Sequence, residues 1–223
     1  RTWAIAAPDA QVGLVFDDLR ERRAEIRAAA DDILCPEVVA HANADVPRPY
    51  DISLGERLVD IPLVGTALAL LAWPAGPLPV AEAAAVLRAR HLPGSPDAWL
   101  RRASLERRWR KDGATEVTFS GMLAVLPDVD AGLAERWRRA ALPAAGRQTP
   151  AAWAEAWRTL LAALGWPGDA ALGSAEWQAR DAFWRVLGDF AGLGDVAGVL
   201  PRSDAIATLR AAVARTLFQP EGS

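Results

Sequence analysis

Cysteine, methionine and tyrosine each occur once in the 223 residues, lysine once among the basic residues, and histidine twice. A lone cysteine, Cys35, excludes an internal disulfide and any zinc cage built from cysteines, and it suits a reducing cytoplasm as a small buried thiol. The only lysine, Lys111, stands between Arg110 and Asp112, so the chain has no place for the G-x-x-x-x-G-K-[ST] cradle that grips a triphosphate. His41 and His91 are far apart and lack the spacing of a metal motif. Neither Gly-x-Ser-x-Gly nor a Cys/His pairing is present to anchor nucleophilic catalysis. Long apolar runs are missing too: "PLVGTALALLAWPAGPLPV" is cut by Pro and Gly short of the roughly 20 residues a membrane helix needs. The start, "RTWAIAAPDA", has no initiator Met and no secretory pattern, and reads as a cut end. A net charge of -3 gives no global basic field, so contact with nucleic acid would require a local patch.

What is abundant is apolar content, 52%, enough for a buried core, together with ten tryptophans. "QVGLVF" reads as a short buried strand, and Asp17 onward as a charged helix with Leu19, Ile26, Ala30 and Ile33 on one side. "YDISLG" alternates like a second strand and stops at Gly55. Everything later reads helical, broken at Pro and Gly: residues 62–72, 79–90, 96–112, 120–126, 129–140, 150–164, 175–192 and 204–217. The best-marked helix has Thr149 as N-cap, Pro150 at its first position and Gly165 after its end, with Trp153, Trp157, Leu160, Leu161 and Leu164 as its apolar stripe. Ser174 and Ser203 are the expected caps of the next two. The fold class expected is therefore mainly α, with one or two short strands in the first quarter.

Three features bear on chemistry. "LVFDD" has the outline of a Walker B strand offering Asp17 and Asp18 to magnesium, but carboxylates at a helix start are stabilised by the helix dipole without any ligand. A metal-dependent phosphodiesterase built on Asp17, Asp18 and Asp51 is the remote alternative, with no histidine beside those acids. The tryptophans could stack on unpaired bases. Trp153 with Trp157, and Trp177 with Phe183, Trp184 and Leu187, instead fall on amphipathic stripes that favour packing between helices. "RRASLERRWRK" gathers Arg101, Arg102, Arg107, Arg108, Arg110 and Lys111 against Glu106 alone, and Arg101, Ser104, Arg108 and Lys111 recur at helical spacing. Such a stripe can hold phosphates by charge-assisted contacts and counterion release, or it can be a solvated helix face. Arg136, Arg138, Arg139 and Arg147 form a second, weaker basic cluster.

Taken in order, "VGLVFDDLRERRAEI", "YDISLGERLVDIPLVGTALALL", "EAAAVLRARHLPGS", "LLAALGWPGDAALGSAEWQARDAFWRVLGDF" and "TLFQPEGS" resemble successive blocks from the middle of a bacterial family of probable DNA repair proteins. These are relatives of the AddB subunit of helicase-nucleases, with a UvrD-like helicase body and a C-terminal PD-(D/E)XK nuclease. The resemblance implies that residues 1–60 are a partial RecA-like segment with a motif IV-like strand and helix. It implies that residues 61–223 are a helical insertion domain attached to that α/β margin. Active relatives place an arginine directly after the motif IV strand, where this chain has Phe16, Asp17 and Asp18. The expectation is a non-catalytic fragment, with no cofactor, no metal and no catalytic residue of its own. It would position duplex DNA, through the six cations of "RRASLERRWRK", or hold an AddA-like helicase subunit beside the rest of the parent polypeptide. The alternative is a scaffold for protein contacts that never touches DNA.

Overall fold

The computed structural model describes residues 12–36, 48–50, 52, 55–143 and 146–220. They fall into two compact units: one lies within Arg1–Glu56 together with Gln219 and Pro220, and the other is Arg57–Phe218. The fold is mainly helical, with a few two-residue antiparallel pairings.

In the first unit, α1 (Leu19–Leu34) starts after Asp18, whose carbonyl accepts the N–H groups of Glu21 and Arg22. Leu19, Ile26 and Ala30 are half-buried as the spacing predicts, but Ile33 is 54% exposed and the inner position beside it belongs to Asp31. Asp31 is held there by Arg48, whose Nε donates to Oδ1 at 2.8 Å, and by Tyr50, whose hydroxyl donates to the same oxygen at 2.6 Å. The strand expected over "QVGLVF" is not formed by Val12–Phe16, which has no regular structure and leaves Val15 94% exposed. A strand needs a neighbour for its N–H and C=O groups, and apolar composition does not supply one. In the second expected strand, Tyr50, Ile52 and Gly55 have no regular structure, while Asp51, Ser53 and Leu54 lie outside the described residues.

The second unit is built around α2 (Pro62–Ala72), which is apolar on all sides and consequently buried along nearly its whole length. Its one buried hydroxyl, Thr66, donates to the Pro62 carbonyl at 2.8 Å. Around α2 stand α3 (Val80–Arg88), α7 (Pro150–Leu164), α8 (Ser174–Ala191) and α10 (Arg202–Arg215). Beyond them come α4 (Pro96–Lys111), which packs on α3, and then α5 (Phe119–Val125), α6 (Ala131–Arg139) and the short α9 (Gly194–Ala197). Leu78 pairs with Val117 and Pro79 with Glu116, while Arg147 pairs with Pro201 and Gln148 with Leu200. Neither these ladders nor α9 is among the elements expected from the sequence.

Local signals set the ends of α7. Thr149 Oγ1 accepts the Ala152 N–H at 3.3 Å, Pro150 opens the helix, and Gly165 leaves it at φ +90°, where a Cβ would meet Pro93 Cγ at 2.3 Å. The expected serine caps do not hold: Gly173 and Pro201 precede α8 and α10, and Ser174 is already helical. In α8 the start is satisfied differently, because the Glu176 carboxylate reaches back to accept the Gly173 N–H at 3.1 Å.

Tryptophan supplies the core. Trp73 and Trp137 meet Phe119, Trp153 stacks on Trp157 and Trp157 on Phe190, and Trp166 abuts Phe183 and Trp184. Four buried indole N–H groups donate to carbonyls of distant segments: Trp73 to Val117, Trp137 to Leu164, Trp153 to Leu200 and Trp166 to Leu63, all at 2.9–3.0 Å. Each indole therefore contributes apolar area and one directional bond. Trp177 departs from the expected packing: it is 50% exposed, with the Arg180 guanidinium 3.7 Å from its ring centre.

Candidate nucleic-acid interface

α4 carries the six cations. Ser95 caps it, accepting the Ala98 N–H at 3.4 Å, Pro96 and Asp97 occupy its first turn, and Arg108, Arg110 and Lys111 fill its last, where positive charge complements the dipole. Its buried side is Ala98, Arg102, Leu105 and Trp109, at spacings of four, three and four. Arg102 is thus on the core stripe, and the same periodicity that placed Leu105 and Trp109 inside would have placed it there too. It is 1% exposed. Its Nε and Nη2 donate to Asp130 Oδ2 at 2.8 and 2.5 Å, and Nη2 also donates to the Pro93 carbonyl.

The other five cations reach solvent. Arg101 Nε donates to the Val129 carbonyl at 3.1 Å, Arg108 pairs with Asp128 at 2.9 Å, and Arg110 pairs with Glu106 at 2.6 Å. Glu106 also binds Arg88 of α3, so one carboxylate joins two helices. Among the described residues Arg107 and Lys111 make no ion pair. Ser104 donates to the Arg101 carbonyl at 2.7 Å and stays half-exposed between Arg101 and Arg108.

The second basic cluster is largely engaged. Arg136 Nε donates to Ala163, Arg138 to Leu123 and Arg147 to Val199, at 3.0, 3.0 and 2.8 Å, while Arg139 pairs with Glu135. Asp17 is exposed, and Asp18 lies 3.7 Å from Arg22 on the next turn. His41 and Asp51 lie outside the described residues.

His91 is 4% exposed, with Nε2 2.9 Å from Glu176 Oε1. Burial pushes the imidazole below the ordinary histidine range, against the pull of Glu176. Burial alone would raise the Glu176 carboxyl, but His91, the Gly173 N–H and Arg90 together hold it low. Pairs such as His91 with Glu176, or Arg102 with Asp130, leave no trace in a linear reading because their members lie 85 and 28 residues apart. No protein-family model, curated protein or solved structure matches this chain.

Proposed function

We propose that this chain is a non-catalytic helical part of a DNA repair protein of the UvrD-like, AddB-like kind, and that it positions duplex DNA or a partner helicase subunit in the cytoplasm. The order of sequence blocks supports the family. The observation that carries DNA contact is the outer side of α4, where Arg101, Arg107, Arg108, Arg110 and Lys111 are all exposed. The carboxylates bound to them are Glu106 and Asp128, fewer than the cations they face. Arg107 and Lys111 are the contacts of first choice, since gripping a phosphate would cost them no existing ion pair.

Titration of a labelled duplex across salt concentrations tests this. Affinity should fall steeply with salt, and changing Arg107 and Lys111 to Gln should flatten the log–log slope by about two, one per lost phosphate contact. The scaffold reading has its own support, the internal pairing of Arg108 and Arg110 and the exposure of Leu100 beside them. Absence of duplex binding at low salt would select the scaffold.

A further inference from the structure

Between the Pro93–Gly94 loop, α4, α6 and the end of α7 lies a cleft of about 660 Å³ whose wall includes Arg102, Arg136 and Arg139. We propose that this cleft is a binding site for a phosphate monoester.

Charge bookkeeping within the cleft carries the case. Two carboxylates share the wall, Asp130 and Glu135. Asp130 is occupied twice, by Arg102 through Oδ2 and by the Leu133 N–H through Oδ1 at 2.9 Å. Glu135 is occupied by Arg139 at 2.8 Å. Arg136 then stands as the uncompensated cation: its Nε is tied to the Ala163 carbonyl, and its two terminal nitrogens have no acceptor among the described residues. Arg102 likewise retains one terminal nitrogen, Nη1, that is buried with no acceptor. A donor left without a partner is costly, and it is Arg136, exposed on the cleft wall, whose free terminal N–H groups an anion there would reach.

The loop is shaped around Arg102. Gly94 sits at φ +129°, and a Cβ there would lie 2.6 Å from Arg102 Nη2. Gly132, in the first turn of the nine-residue α6, lines the same cleft, and first-turn N–H groups have no acceptor within their own helix. Planar guanidiniums favour phosphate oxygens, and the net positive balance suits a group carrying between one and two negative charges. The volume far exceeds that of phosphate alone, so the phosphate would be one end of a larger molecule. That molecule is either a free phosphate ester or the phosphorylated 5′ end of DNA; only the second rests on the DNA reading above.

Calorimetric titration with inorganic phosphate at constant ionic strength, using chloride as the control anion, tests the site. Saturable binding is expected, weakened about tenfold by Arg136→Gln and partly restored by Arg136→Lys. Arg136 is exposed, so its variants test the site without disturbing the buried Arg102 pair. No saturation, or equal binding by Arg136→Gln, overturns the proposal. A second arm compares duplexes with 5′-phosphate and 5′-hydroxyl ends. A preference for the phosphorylated end that Arg136→Gln abolishes identifies DNA as the source, whereas phosphate binding with no end preference identifies a free ester. Salt-dependent duplex binding without phosphate binding would remove the site and leave the DNA reading standing.

Discussion

In the first unit a carboxylate gathers the chain: Asp31 draws Arg48 and Tyr50 onto one side of α1, while Arg27 reaches Glu56 at 3.1 Å. In the second unit indoles do the gathering, and Trp137 alone stacks on Phe119, meets Trp73 edge-on and donates to Leu164. The two kinds of contact respond to different conditions. Charge contacts near water weaken with salt and protonation, whereas a packed ring loses its contribution only when its cavity opens or its N–H is orphaned. The difference shows where this arginine-rich chain uses charge for cohesion and where it leaves charge available for a ligand.

The largest expected effect tests the aromatic half of that contrast. Trp137→Ala should destabilise the second unit by about 3–5 kcal/mol, read as a shift of its urea midpoint. A shift as small as that of a surface change would mean that indole packing is not what holds this unit. Next comes the exception within the second unit, its buried ion pair. Arg102→Met leaves Asp130 without its cation and should cost roughly 3 kcal/mol in the same assay.

Smaller and confined to acid is the first unit's response. The Arg48 guanidinium, then the Tyr50 hydroxyl, hold the Asp31 carboxyl below its usual range. A carboxyl with a depressed folded pKa contributes fully above its unfolded value of about 4 and loses that contribution as pH falls through the lower folded one. Asp31→Asn should therefore cost about 1 kcal/mol at neutral pH and remove that acid dependence, followed by amide hydrogen exchange in α1.

His91 carries the corresponding dependence of the second unit. Its folded pKa is also depressed, so stability should be complete above about pH 6.5 and decline below it. Thermal melts of the wild type and His91→Gln between neutral pH and pH 5 check this, and parallel curves would refute it. Smallest of all, Arg57→Gln breaks an exposed i,i+3 pair with Asp60 and should leave the urea midpoint of the second unit unchanged.

How much was legible follows from the range of each signal. Helix positions came through closely: α2 and α7 begin and end at the expected residues, because proline, glycine and a 3.6-residue apolar period act within a few positions. Charge was misjudged where composition hid the period. By composition Arg102 belongs with its charged neighbours, although its spacing from Ala98, Leu105 and Trp109 puts it on the buried side. Apolar content near Val12 suggested a strand, yet pairing requires a second segment that composition cannot supply.

By itself the amino-acid sequence determined a helical chain, its breaks, its tryptophan stripes and the basic face of α4, since each depends on contacts along one helix. Only the tertiary structure decided which of those cations stay available, that His91 meets Glu176, and that Arg102, Arg136 and Arg139 line one cleft. Those pairings join residues distant in the chain, and a buried charge takes whichever partner the packing of apolar faces brings within reach.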